Sequence, residues 1–234
     1  ALQNMIGYIV MQDPAPTMIV YPTETLAKSI SENRLQPMLR ATPELARRFD
    51  ENSQLLELQF DGMYLTLAGS NSPSGLASKP IRFVLMDEVD KYPGTSGKEA
   101  DPIKLATERT KTFHDKKIYI TSTPTLKTGH IWKEKESADI EKHYFVPCPH
   151  CGEYIELKFS NIRFPDEEGM TYADRAEFAT YICQECGCAI TDADKNNMIR
   201  HGEWRIVRHN TQYVRSVAFW INTLLIQNAT ERTY

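Results

Sequence analysis

Ile81-Arg82-Phe83-Val84-Leu85-Met86-Asp87-Glu88 decides the fold. The apolar run reads as the most strongly buried strand in the chain, of the kind packed on both faces in a parallel sheet. It ends in two acids. A strand so placed delivers carboxylates to its carboxyl edge, where open α/β sheets bind their ligands. Downstream, Asp101-Pro102 starts a helix through about Thr112, Ile118 to Ile120 forms another strand, and Ser122-Thr123-Pro124-Thr125 ends it in a polar loop. Upstream, Leu55 to Phe60 and Tyr64 to Ala68 flank Asp61-Gly62, which predicts a hairpin, and Gly69 to Gly75 reads as loop. Met18 to Tyr21 reads as a short buried strand leading to Thr23, which caps a helix carrying Leu26 and Ile30. Leu2, Met5, Ile6, Ile9 and Val10 recur at helical spacing, and Thr42-Pro43-Glu44 is a further helix start. The alternation of strand and helix predicts an α/β fold with a mostly parallel sheet up to about Val146.

A second signal lies further on. Cys148-Pro149-His150-Cys151-Gly152 and Cys183-Gln184-Glu185-Cys186-Gly187 form two knuckles, each pairing cysteines two residues apart and ending in glycine. One tight turn then presents two sulfurs to one ion, and the glycine permits the left-handed backbone that aims amides at them. Two such turns complete a tetrahedron, so Cys148, Cys151, Cys183 and Cys186 are the expected ligands of a structural Zn²⁺, with Cys188 an extra thiol. Between the knuckles the sequence predicts a strand from Tyr154 to Phe159, an acidic excursion through Asp166, Glu167 and Glu168 read as solvated loop, and extended Tyr181-Ile182. Beyond them Asp192 to Arg200 reads as helix, and Trp204 to Val207 and Val214 to Ile221 as extended.

With 234 residues, 41% of them hydrophobic and 25% charged, the chain has the composition of a folded soluble protein with one sizeable core and a small appended module. It has no apolar run of membrane-spanning length and no leader, so no membrane partner is expected. Its net charge of −4 argues against coating nucleic acid by bulk charge. From Ile103 to Lys135, however, eight Lys or Arg stand against three acids. That excess suits a polyanion-facing surface and a solvated helix face equally well.

Phe83 to Glu88 has the form of a Walker B strand of a nucleotide-hydrolysing sheet. Asp87 would hold the Mg²⁺ of Mg-ATP and Glu88 would polarise the attacking water as general base. Ile118 to Pro124, a second strand ending in hydroxyls, supplies Ser122 and Thr123 as candidates for sensing the terminal phosphate.

Tyr21-Pro22-Thr23, Gly69-Ser70-Asn71-Ser72-Pro73, Leu76-Ala77-Ser78-Lys79-Pro80, Asp87-Glu88-Val89-Asp90-Lys91-Tyr92-Pro93, Arg109-Thr110-Lys111-Thr112-Phe113, Ser122-Thr123-Pro124-Thr125 and Tyr144-Phe145-Val146-Pro147-Cys148-Pro149-His150-Cys151-Gly152 follow one another in order. In this the chain resembles the GpA-type large terminase subunits, the DNA-packaging motors of tailed phages, over nearly its whole length. The resemblance implies a RecA-like P-loop NTPase core of the ASCE type with an inserted zinc ribbon. It also implies ATP hydrolysis coupled to translocation of double-stranded DNA into a procapsid through a portal, a terminase small subunit as partner, a ring oligomer, and the host cytoplasm as location. Asp87 and Glu88 match the family's acidic pair, and Ser122-Thr123-Pro124 its coupling segment. Thr23 falls where a loop approaches DNA. Lys79 and Arg82 are candidates for contacting nucleotide or DNA, and Arg109 for stabilising phosphoryl charge within a subunit or across a ring, although a surface helix arginine explains Arg109 as well.

Two departures accompany the resemblance. No G-x-x-x-x-G-K-[ST] loop precedes Asp87. In the family that loop runs into the helix which Ala1 to Val10 resembles, so this chain is expected to begin just after it, to bind ATP poorly by itself and to be inactive in isolation. No carboxylate cluster for a two-metal nuclease is present either, so genome cutting is assigned to sequence outside the chain, and Gln227 to Tyr234 lies outside the resemblance. The expected domains are 1–146 for the partial ATPase, 147–192 for the zinc ribbon and 193–234 leading toward the nuclease. The competing readings are a non-enzymatic zinc-ribbon module for nucleic acid or protein, and a helicase-like ATPase.

Overall fold

The computed structural model describes residues 2–77, 79–96, 101–165 and 169–225. Two compact units divide the chain at 133/134, so the segment from Glu134 to Val146, which the sequence groups with the sheet before it, packs in the second.

The first unit is built on five strands: β1 (Thr17–Tyr21), β2 (Glu57–Phe60), β3 (Met63–Gly69), β4 (Phe83–Met86) and β5 (Lys117–Ile120), in spatial order β2-β3-β1-β4-β5. β3, β1, β4 and β5 run parallel, while β2 returns antiparallel to β3 through the hairpin at Asp61-Gly62, where Gly62 has φ 78°. Because successive side chains point to opposite faces, β1 and β4 feed two cores. Ile19, Tyr21, Phe83 and Leu85 join Leu65 and Leu67 against α1 (Leu2–Gln12), α3 (Gln36–Ala41) and α4 (Pro43–Ala46). Met18, Val20, Val84 and Met86 pack with Leu76 of α5 (Pro73–Ala77) and Ile103 and Ala106 of α6 (Pro102–Glu108). All four β4 side chains are buried, each stabilising by about 1.5–3 kcal/mol.

Local chemistry sets the helix starts. Thr23 Oγ1 accepts the Leu26 amide at 3.2 Å and caps α2 (Glu24–Ile30), which continues through a π-helical turn at Ser31–Leu35 into α3. Asp101 caps α6 by accepting the Ile103 amide at 2.8 Å. α4 begins on Pro43 as expected, but the Thr42 hydroxyl donates back to Met38 O instead of capping it. Within this unit two expected elements differ from the structure. The loop expected over Gly69 to Gly75 is interrupted by α5, whose Leu76 is fully buried. The helix expected to reach Thr112 ends at Glu108 and runs on as turns.

The second unit centres on β6 (Ile140–Pro147), preceded by α7 (His130–Ser137). β6 pairs with β7 (Tyr154–Ile155) and β11 (Glu203–His209) antiparallel and with β12 (Val217–Trp220) parallel. A smaller sheet, β10-β9-β8, joins Ala189–Ile190, Thr180–Ile182 and Ile162–Arg163. α8 (Tyr172–Glu177) and α9 (Asp192–Arg200) both start with capping boxes, Thr171 with Asp174 and Thr191 with Asp194. The strand expected from Tyr154 to Phe159 covers only its first two residues. Leu157 then turns into a core with Val146, Cys148, Ile155, Cys183, Ile190 and Met198, and Ile162-Arg163 pair with β9. Asp166, Glu167, Glu168 and the tail Gln227 to Tyr234 lie outside the described residues. Buried Glu141 on β6 accepts from Lys135 at 3.0 Å, His143 at 2.8 Å and Arg208 at 3.0 Å, while His143 Nδ1 meets Glu156 at 2.6 Å. No helix among the described residues is long and apolar enough to cross a membrane.

Candidate functional site

The register of the parallel sheet aligns Met86 with Val20 on one side and Ile120 on the other, so residues just beyond β1, β4 and β5 share one carboxyl edge. Asp87 continues the ladder by donating its amide to Val20 O at 3.0 Å, and Thr121 donates its own to Met86 O at 2.9 Å. The Thr121 hydroxyl then donates to Asp87 Oδ1 at 2.9 Å. Two adjacent strand ends thereby hold the Asp87 carboxylate in a fixed direction.

At Glu88 the backbone turns left-handed, with φ 53° and ψ 47°, the one non-glycine residue with positive φ among those described. Such a conformation crowds Cβ against the carbonyl and persists only where surrounding contacts determine it. Those contacts are visible. A 3₁₀ turn at Val89–Lys91 follows, the Val89 amide donates to Thr121 O, and Lys91 pairs with the Glu88 carboxylate at 2.8 Å. Buried Tyr92 donates its hydroxyl to Val20 O at 2.8 Å. Burial pushes the phenols of Tyr92 and Tyr21 well above the usual tyrosine range, and the nearby Asp87 carboxylate raises both further.

Asp90 closes the turn. Its Oδ2 accepts the Thr125 amide at 2.9 Å, its Oδ1 accepts the Ile131 amide at 2.8 Å, and its own amide donates to Ser122 Oγ at 3.2 Å. Gly129 lies so close that a Cβ there would stand 2.6–2.9 Å from the Asp90 carboxylate atoms.

Among the residues singled out from sequence, Asp87, Glu88 and Ser122 come together at this edge. Thr123 follows exposed, its carbonyl accepting the Ser122 hydroxyl at 3.3 Å. Thr23 stands past the end of β1 at the same edge and serves as the α2 cap; Gly69 packs so tightly there that a Cβ would run into the Glu24 backbone nitrogen. The others lie elsewhere. Arg109 accepts the Ile81 amide through its carbonyl, which sets its backbone at the amino edge, roughly 20 Å along the strand from Asp87 at about 3.3 Å per residue. Arg82, also at the amino edge, is clasped by Asp13 at 2.6 Å and Asp115 at 2.7 Å and stacks on Phe83. Lys79 pairs with Glu57 at 2.7 Å over the Tyr64 ring. Thr121, Tyr92 and Asp90 have positions that sequence reasoning did not assign. A hydroxyl directly after β5 signals Thr121, whereas Asp90 meets partners up to 41 residues away and leaves no local pattern.

In the second unit the Sγ atoms of Cys148, Cys151, Cys183 and Cys186 all lie within 4.8 Å of one another, a set able to hold one metal ion. Each knuckle closes as the spacing requires: the Gly152 amide donates to Cys148 O at 2.9 Å and the Gly187 amide to Cys183 O at 3.0 Å, with φ 76° and 73° at the two glycines. The amide hydrogen bond at Glu153 lowers the Cys151 thiol, but desolvation and the neighbouring sulfurs push it up to about 12. Four crowded sulfurs ionise together only around a cation. His150 is turned to Ala189 O at 2.8 Å, and Cys188 stays outside the quartet.

Residues 1–204 match the family described as "Phage terminase large subunit gpA, ATPase domain". The chain belongs to this family. Among curated proteins it is 28% identical to the terminase large subunit of Enterobacteria phage P21 over 216 residues, 87% of this chain and 32% of that protein. To the terminase large subunit of Escherichia phage lambda it is 22% identical over 197 residues, 81% of this chain and 31% of the relative. The chain thus spans about a third of the length of the curated relatives it matches. Two solved structures resemble part of it: the large terminase of a thermophilic bacteriophage (TM-score 0.41, 14% identity, 56% of this chain and 31% of that one) and the ATPase domain of a Thermus phage large terminase (TM-score 0.40, 19% identity, 52% of each). Likeness at that level carries no weight for the site.

Proposed function

We propose that this chain supplies the hydrolytic and relay half of an ATP-driven motor that packages double-stranded DNA into a viral procapsid. The first unit is in this reading part of a RecA-like core, and the cysteine-bearing segment, residues 147–192, is a zinc ribbon. Supporting it is one observation above the others: Asp87 ends a fully buried parallel strand hydrogen-bonded to Thr121 of the next strand, with Glu88 beside it. Asp87 would bind the Mg²⁺ of Mg-ATP, which neutralises charge on the β- and γ-phosphates, while Glu88 takes a proton from the attacking water. Thr121 and Ser122 sit where the loss of the terminal phosphate would be felt. The family's phosphate loop does not occur within these 234 residues, so the nest that cradles ATP belongs to other sequence of the protein. Arg109, based at the opposite edge, fits a role across a subunit boundary and not within its own site. DNA cutting, contact with a small subunit and portal, and action in the host cytoplasm are proposed for the whole protein on family grounds. Four thiolates in tetrahedral reach of one ion favour Zn²⁺.

The test is Glu88→Gln in the full-length protein. ATP turnover should fall by about 10²–10⁴-fold, the range for loss of a general base, with nucleotide still bound and DNA translocation stopped. Turnover within a few fold of wild type would refute the assignment.

A further inference from the structure

Ile131 lies in the first turn of α7, where helix amides lack intrahelical partners and attract negative charge. The acceptor that meets its amide is a carboxylate contributed from 41 residues earlier, by the turn that carries Glu88. The same carboxylate holds Thr125 with its other oxygen, so both ends of the 125–131 loop hang on one side chain. Ser122 Oγ, receiving the Asp90 amide, and Thr121 O, receiving the Val89 amide, extend the seam toward β5. Gly129 completes it, since any side chain at that position would be driven into the carboxylate.

We propose that Asp90 is a positioning residue for hydrolysis. It latches the segment from Thr121 to Ile131 onto the acidic turn, holds Glu88 in its left-handed conformation, and keeps Ser122 in register with Asp87. The inference rests on the reading of Asp87 and Glu88 as the hydrolytic pair. A carboxylate is required because two amides must be accepted at once, on two different oxygens. The amide of asparagine offers one oxygen and turns a donor toward the other N–H. Asp90 has no role in gripping nucleotide in this scheme, so its loss is felt in the catalytic step.

The experiment uses the full-length protein with Asp90→Asn, Gly129→Ala and the double variant. For each single variant kcat should fall on the order of 10- to 100-fold, as misplacement of reacting groups by a fraction of an ångström does, with KM for ATP within about twofold. Hydrogen exchange at the Thr125 and Ile131 amides should quicken in Asp90→Asn. The double variant should be little worse than either single one, because both substitutions open the same latch. Unchanged kcat in either folded variant overturns the inference while leaving the hydrolytic reading in place, as do losses confined to KM or losses that multiply fully in the double variant. If Asp90→Asn does not fold, the kcat and KM of Gly129→Ala decide. A wild-type protein that does not turn over ATP refutes the hydrolytic reading itself, and the inference with it.

Discussion

Replacing Glu88 by alanine and by glycine should reverse the usual order of stability between those residues. In a right-handed or extended position glycine is the worse of the two by about 0.5–1 kcal/mol, because it loses more backbone freedom on folding. At φ 53° and ψ 47° alanine retains a left-handed penalty of roughly 1–2 kcal/mol that glycine does not incur. The ion pair to Lys91 is lost in both variants, and with side chains 44% and 65% exposed it contributes little to either. The difference leaves Glu88→Gly ahead of Glu88→Ala by about 0.5–1 kcal/mol, or about 1–4 °C in thermal midpoint for a chain of this size. Calorimetric unfolding of the two variants side by side measures it. Both should lack ATP turnover in the full-length protein, so the pair separates the cost of the conformation from the need for the carboxylate. A Glu88→Ala midpoint equal to or above that of Glu88→Gly would refute the argument that the left-handed turn is strained and held by its neighbours.

Two further outcomes are expected. Cys148→Ser should lower bound metal from about one equivalent to less than half, measured by elemental analysis of the folded protein, and chelators should destabilise wild type but not the variant. Acid should weaken the second unit through Glu141: burial raises its carboxyl, yet hydrogen bonds from His143, Lys135 and Arg208 outweigh that and hold it down at about 2. A depressed carboxyl stabilises above its ordinary value near 4.5 and loses that contribution as pH falls toward 2, so the loss, on the order of 2–3 kcal/mol, belongs to that window. Glu141→Gln should be less stable than wild type at neutral pH and show a flatter acid limb in pH-dependent unfolding.

What the sequence makes legible is what short-range chemistry dictates. Phe83 to Met86 can only be a doubly buried strand, Asp61-Gly62 can only turn a hairpin cheaply, and Thr23 and Asp101 declare helix starts because their side chains reach amides two or three residues on. The doubled knuckle is legible for the same reason, each thiol pair being a local turn. Residues whose role depends on distant pairing are another matter. Asp90 reads as one more acid in a charged stretch until β5 runs parallel to β4 and brings Thr125 and Ile131 to it. Arg109 and Arg82 read as cations for phosphate or DNA, but periodicity does not say at which edge of a parallel sheet a residue lies. Arg82 directly precedes β4, and the connection of α6 to β5 brings Arg109 to the same amino edge, where its carbonyl accepts the Ile81 amide. Leu157 looks like the continuation of a strand and instead plugs the core beside Cys148.

β6 and β11 are direct neighbours, with Phe145 opposite Glu203, so the stretch between them, from which β7 pairs back onto β6, is an excursion that ends beside the strand it left. For strand pairing, that whole excursion is equivalent to a hairpin loop, and lengthening a loop raises the entropy of closing it only logarithmically. Such a seam is a place where a lineage can acquire, enlarge or shed a module without rebuilding the sheet beneath it. The excursion is tied down from β6, by His143 to Glu156 and Tyr144 to Ile199 O, and from residues after β12, by Asn222 to Leu157 O and Leu225 in the core around the cysteines. A recombinant chain trimmed ahead of Asn222 would keep its cysteine quartet but lose the part of its anchoring that Asn222 and Leu225 supply.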